Sequence, residues 1–226
     1  MRIDLQYLPS KEQTYDICLE AVRADGEQLK YVQVQTDELC LIAVKQNGSA
    51  IRYVQRQTPD ICLAAASQWG FALRFIHEQT PEICLAGVRQ DWRAIDCVRT
   101  QTPEICLEAV RQNGNALRYV HAQTPEICLE AVKQNGRALV FVEKKTTEIC
   151  LEAVLQNGMA LQDIPEQDQT LAVAIAALKQ NPECRHYLAP RFKKPEVYET
   201  AGYDYKPEDL APSHGCAKQE RTEPEI

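Results

Sequence analysis

Between Thr14 and Gln169 the chain repeats one arrangement of apolar and polar positions every 22 residues. The arrangement is plainest in TPEICLEAVRQNGNALRYVHAQ, Thr102 to Gln123. In its first half Ile105, Cys106, Ala109 and Val110 fall at i, i+1, i+4 and i+5, a stripe along one side of a helix. Thr102 suits the N-cap, and Pro103 occupies the first helical position, where its missing N–H costs nothing. Glu104 sets a negative charge by the positive end of the helix dipole. Gly114 is expected to supply the left-handed residue that closes this helix. The second half, Asn115 to Ala122, carries Ala116, Leu117, Tyr119 and Val120 and has room for about two helical turns. The next Thr-Pro ends it, because proline pushes the preceding residue out of α geometry.

Threonine keeps the register at Thr14, Thr36, Thr58, Thr80, Thr102, Thr124 and Thr146, and cysteine keeps it at Cys18, Cys40, Cys62, Cys84, Cys106, Cys128 and Cys150. We number these repeats 1 to 7. A leucine-rich repeat has a similar period but needs a strand with alternating leucines. ICLEAV does not alternate, and Glu, Ala and Gln are poor strand residues. Two incomplete repeats flank the array. Leu5, Gln6, Tyr7 and Leu8 match the LRYV of a second helix, followed by an insertion before Thr14. After Pro165 another insertion precedes Thr170, and the chain follows the repeat loosely to Leu188. These read as caps, whose outer face meets water. The prediction is therefore all-α: a solenoid of about seven to eight helix-turn-helix repeats over 1–188, then a non-repetitive tail. Over 189–226, Pro190, Pro195, Pro207, Pro212 and Pro224 punctuate a polar stretch without helical period, which predicts extended or disordered chain unless it docks on the solenoid.

Composition narrows the class. Of 226 residues 45% are hydrophobic, too many for a disordered chain, and nine glycines are too few for a collagen-like one. No apolar run approaches the roughly 18 to 20 residues of a membrane span, and MRIDLQYLPS lacks the regions of a signal peptide. A net charge of −7 argues against sequence-blind phosphate binding, so nucleic acid is not an expected partner.

The unit T-P-E-I-C-L-E-A-V-x-Q-N-G-x-A-L-x-Y-V, best seen in Thr102–Gln123 and Thr124–Lys145, resembles the tandem repeat of domain-of-unknown-function family 4116 over about Thr14 to Gln169. The resemblance implies arrays of the kind found in bacterial and protist proteins, secreted effectors among them. It brings no catalytic residues to carry over. Two departures stand out: Trp69, where the pattern has Asn, and Trp92, where it has Gly.

Ten cysteines raise the question of disulfides or metal. Equivalent residues of stacked repeats lie about 8 to 10 Å apart, beyond the roughly 7 Å a disulfide tolerates. The same distance defeats a shared metal ion. The ladder thus reads as small buried apolar residues, and as a sign of a reducing compartment. Cys184, His186, His214 and Cys216 have the right chemistry for zinc, but ligands one residue apart chelate awkwardly, and no metal or cofactor is expected. Phosphate-loop, nucleophile-elbow and zinc-protease motifs are missing, so the chain reads as non-enzymatic. His77 and His121 share a repeat position with Gln and Arg and read as surface polarity. Asp16, Glu38, Asp60, Glu82, Glu104, Glu126 and Glu148 are first-turn acids that answer the helix dipole. Arg23, Lys45, Arg89, Arg111 and Lys133 form one basic row, and Lys30, Arg52, Arg74 and Arg118 another. Glu20, Glu108 and Glu130, three residues before Arg23, Arg111 and Lys133, predict local surface pairs rather than a phosphate-binding stripe.

Both tryptophans fall at corners between helices in repeats 3 and 4, where the repeat itself does not need them. Trp69, Phe71, Arg74, Trp92 and Arg93 are accordingly the predicted partner-binding residues, since Trp and Arg dominate interface energies. The competing reading folds each ring over a gap left by Ala66 or Gly87. The expected function is a protein-binding or scaffold solenoid acting in the cytoplasm, or in a host cytosol after non-classical secretion. The alternative is a pathogen effector or phage-encoded inhibitor that blocks a nucleic-acid-handling enzyme through its acidic surface.

Overall fold

The structure, a computed structural model, describes residues 3–204. Helices hold 72% of those residues, and no strand occurs among them. The chain divides into two compact bodies, Met1–Lys145 and Thr146–Ile226.

In the first body each repeat opens with a ten-residue α-helix: α1 Tyr15–Ala24, α2 Asp37–Gln46, α3 Pro59–Gln68, α4 Pro81–Gln90, α5 Pro103–Gln112 and α6 Pro125–Gln134. Threonine stands at each N-cap as expected, and all but Thr58 accept a backbone N–H there. In α5 the Thr102 hydroxyl accepts the Ile105 N–H at 3.4 Å, and Pro103 stands in the first turn.

The second half differs from expectation. It is a 3-10 helix, for instance Gly114–Tyr119 in repeat 5. Six residues are too few to repay α nucleation, and the apolar positions here repeat every three residues. A 3-10 helix eclipses i and i+3. Leu117 and Val120 therefore share a buried row, Ala116 and half-buried Tyr119 a second, and Asn115 and Arg118 the outer one. With Ile105, Cys106, Ala109 and Val110 from α5, repeat 5 buries seven side chains at no more than 6% exposure.

Gly114 is not left-handed either. Among the described residues only Gly202 has positive φ, at 87°. What Gly114 needs is proximity. A Cβ there would overlap the Ala131 carbonyl oxygen of α6, and its N–H donates to Gln134 Oε1 at 2.6 Å. Gly26, Gly48 and Gly70 give the same bond to Gln46, Gln68 and Gln90.

A second glutamine, just before each threonine, also ties neighbouring repeats. Gln101 Nε2 donates to the carbonyls of Ile95 at 3.3 Å and Tyr119 at 2.8 Å. Its Oε1 accepts the His121 N–H at 2.9 Å and the Cys106 thiol at 3.7 Å. Gln35, Gln57, Gln79 and Gln123 bond alike. Lys145 takes this place at the end of the body, and its Nζ turns back to the Val142 carbonyl at 3.0 Å.

The second body holds α7 Thr147–Gln156, α8 Leu171–Gln180 and α9 Pro195–Ala201, with 3-10 turns between. Gln169, only 3% exposed, repeats the tie by donating to the Tyr187 carbonyl and accepting the Ala189 N–H. The stretch after Leu188, expected to be extended unless docked, is helical over Pro195–Ala201 and packs on α8. Its short apolar set, Val197, Tyr198 and Ala201, is buried, and Gly202 ends it in the left-handed form that the repeats never use. The remaining prolines, Pro207, Pro212 and Pro224, lie outside the described residues.

Candidate binding surface

In the first body α-helices stack on α-helices and 3-10 helices on 3-10 helices. The body therefore has an α side and a 3-10 side, and their charges differ. Helices α1–α6 carry ten carboxylates and five cations. The six 3-10 helices carry Lys30, Arg52, Arg74, Arg93, Arg118 and Arg137 against Glu27 and Asp96.

The two basic rows separate accordingly. On the α side the expected pairs within a helix are replaced by pairs between repeats. Arg89 meets Glu108 at 3.6 Å and Arg111 meets Glu130 at 3.2 Å, because stacking brings the next helix as close as the next turn. On the 3-10 side the cations lie over rings. The Arg52 guanidinium stands 5.7 Å from the Tyr53 ring centre and 5.3 Å from that of Phe75. Arg118 stands 5.0 Å from Tyr119 and 5.8 Å from Phe141. Lys30 covers Tyr31 at 5.3 Å. Each ring is half-buried and each cation exposed. Sequence reasoning missed this alternation, although the Arg-Tyr and Arg-Phe pairs at a constant repeat position signal it.

The row loses its cation at repeat 6, where Val140 stands beside Phe141, and breaks fully at repeat 4, where Asp96 and Cys97 replace the cation and the ring. Arg74 turns to Asp96 at 3.8 Å and covers Phe71 at 5.9 Å. Trp69 stacks on Phe75 at 6.1 Å with 23° between planes, and it touches Phe71 at 6.3 Å. Trp92 goes to another partner, Tyr119 of repeat 5, at 6.4 Å. Arg93 is gripped by Asp91 through Nε at 3.0 Å and Nη2 at 2.7 Å. The five predicted residues thus lie at the corners of repeats 3 and 4 in two clusters: Trp69, Phe71 and Arg74 in one, Trp92 beside Arg93 in the other. Both tryptophans are half-buried. The vacancy at Gly87 is closed by Leu73, whose Cδ1 would stand 2.9 Å from a Cβ built there.

The ladder cysteines are buried and form no disulfide. Burial pushes the Cys40 thiol up to about 11 and that of Cys184 to about 12, and it raises Cys18, Cys62, Cys84, Cys106 and Cys128 likewise. Cys184 is fully buried while His186 is exposed. His214 and Cys216 lie outside the described residues. The described residues bring together no group of three or more potential metal ligands. None of their helices is long and apolar enough to cross a membrane.

The family described as a domain of unknown function (DUF4116) matches at residues 36–80, 102–145 and 124–169, together half of the chain. The chain belongs to this family. No curated protein and no solved structure matches it. The family's matches pass over 81–101, which are the residues of repeat 4 after its threonine. Repeat 1 lies outside the matches too, but of these two only repeat 4 loses both the cation and the ring.

Proposed function

We propose that the protein is a non-enzymatic binding solenoid, whose repeats present an extended surface to a protein partner. The observation that carries this reading is the manner in which repeat 4 departs from its neighbours. Its core is kept: Ile83, Cys84, Val88, Ala94, Ile95 and Val98 are all buried. Its changes at the 3-10 corner, Asp91, Trp92, Asp96 and Cys97, lie at half-buried and exposed positions, with Arg93 beside them at a position that varies along the array. Apart from Gly87, which stands where the neighbouring repeats bury an alanine, repeat 4 changes at the surface, and the tryptophan it gains there supports recognition rather than packing. Trp69, Phe71, Arg74, Trp92 and Arg93 are its centre. Buried, protonated thiols support residence in a reducing compartment such as a cytoplasm.

The test is affinity capture from the native host with the full chain and with a variant carrying Trp69→Asn and Trp92→Gly, the repeat's own residues. A partner held by the parent and lost by an equally stable variant supports the reading. Equal capture by both, or collapse of the variant, removes it.

A further inference from the structure

The partner's chemistry follows from the 3-10 side, and the argument rests on the binding reading above. We infer that this side binds an extended acidic peptide whose carboxylates fall at every third residue, interrupted once by an apolar residue. Three observations combine. The 3-10 helices are rich in cations while the α-helices are rich in acids, so the partner's charge is selected by side. Arg52 and Arg118 lie over half-buried rings, which hold the guanidinium in place and leave its edge N–H groups for a carboxylate. This position recurs once per repeat, holding Lys30, Arg52, Arg74 and Arg118 with Asp96 and Val140 at the other two, and neighbouring helices pack about 8 to 10 Å apart. Three residues of polyproline-type chain advance about 9 Å, so one acid in three keeps step with the repeats.

Repeat 4 sets the register. Arg52, Arg74 and Arg118 accept acids at peptide positions 1, 4 and 10. At position 7 the peptide meets Asp96, which repels a carboxylate, and half-buried Cys97, which favours an apolar side chain.

The experiment compares two uncharged-background peptides of twelve residues. One carries Glu at 1, 4 and 10 with Leu at 7, and the other carries Glu at 1, 4 and 7 with Leu at 10. At low salt the full chain is expected to bind the first about fivefold more tightly, a size set by two exposed charge contacts. Asp96→Arg, which restores the repeat's own residue at an exposed site, is expected to abolish that preference, because each peptide then sets three glutamates against three arginines. Arg52→Glu with Arg118→Glu is expected to lower binding of the first peptide about tenfold, while Arg89→Glu with Arg111→Glu on the α side leaves it unchanged. The inference is overturned by equal affinity for both peptides, by an unchanged order in Asp96→Arg, or by no measurable binding. Tighter binding of a twelve-nucleotide single-stranded DNA than of either peptide also overturns it. Capture of a native partner that depends on Trp69 and Trp92, with no peptide binding, leaves the binding reading standing and removes this one.

Discussion

Repeats 4 and 5 are built on nearly the same core and differ at the corner. Ile83 and Ile105, Cys84 and Cys106, Val88 and Val110, Ala94 and Ala116 occupy matching buried places. At the corner, repeat 5 has Asn113, Gly114, Arg118 and Tyr119, while repeat 4 has Asp91, Trp92, Asp96 and Cys97. In repeat 5 the Gly114 N–H is clamped by Gln134. Gln112, at the matching place opposite Trp92, instead donates to the Val88 carbonyl at 2.9 Å and to Glu108 at 3.3 Å. Stacking therefore survives loss of the glycine clamp but keeps the Gln-before-threonine tie, since Gln79 still bonds Cys97 and Arg99. The comparison ranks the contacts: core first, the glutamine before the threonine next, corner last.

Thiol chemistry separates the two repeats most widely. Cys97 is half-exposed, whereas Cys84 and Cys106 are 2% and 3% exposed. A thiol reagent at neutral pH is expected to modify Cys97 at least about a hundredfold faster than either, because the buried pair react only through opening of the repeat. Mass spectrometry of a labelling time course reads this directly, and comparable rates would place the ladder outside the core. Alkali extends the test to the whole ladder. Folded pKa values raised above the ordinary 9.0 mean that the unfolded chain loses protons first. Stability is then full below pH 9 and falls as pH rises toward the folded value, about 11 for Cys40. Denaturation curves at pH 7, 9 and 10.5 should show a steady decline, and a flat response would mean the thiols ionise freely.

Next in size is the half-buried glutamine that precedes each threonine. Gln101→Ala leaves the Ile95 and Tyr119 carbonyls and the His121 N–H without partners, which is expected to cost about 2 to 4 kcal/mol. Gln112→Ala, whose side chain is exposed, is expected to cost under about 1 kcal/mol. Urea denaturation distinguishes them, and equal losses would mean that both glutamines tie repeats equally.

The glycine corner comes third. Gly114→Ala forces a Cβ onto the Ala131 carbonyl and is expected to cost about 1 to 3 kcal/mol. Trp92→Gly exchanges the Trp92–Tyr119 ring contact for a renewed clamp by Gln112, two effects of about 1 kcal/mol each and of opposite sign. Its stability should match the parent's. A large loss would make Trp92 a packing residue and weaken the binding reading.

Much of this was legible in the sequence. Period, threonine caps and the α-helical stripe fixed the first half of every repeat, because each rests on local chemistry. The second half was misread because Ala116, Leu117, Tyr119 and Val120 suit periods of three and 3.6 almost equally over so short a stretch. Gly114 was misread because its reason lies 17 residues away at Ala131, and a glycine required by approach looks like one required by φ. The glutamine ties left no trace in hydrophobic pattern at all, only in their constancy before each threonine. The corner residues of repeats 3 and 4 were found by comparing repeats with one another. Which rings and cations they would meet was not written there, since Trp69 and Trp92 choose partners in different repeats.

The smallest expected effect concerns the caps of the two corners. Asp91 and Asn113 both cap a 3-10 helix, accepting the N–H two residues on at 2.9 Å and 3.0 Å. Only Asp91 also grips an arginine, and the Arg93 hydrogen bonds hold its carboxyl below the ordinary 3.8. A depressed folded pKa stabilises above the unfolded value and is lost as pH falls through the folded one. The pair is exposed on the Arg93 side and screened by salt. Asp91→Asn keeps the cap and frees Arg93, so at neutral pH its denaturation curve should be almost superimposable on the parent's. Whatever difference remains should vanish in acid, where Asp91 is protonated. A loss as large as that of Gln101→Ala would show that the ion pair braces repeat 4. The corner would then be a structural repair of the missing glycine, and Arg93 would have no claim as a contact for a partner.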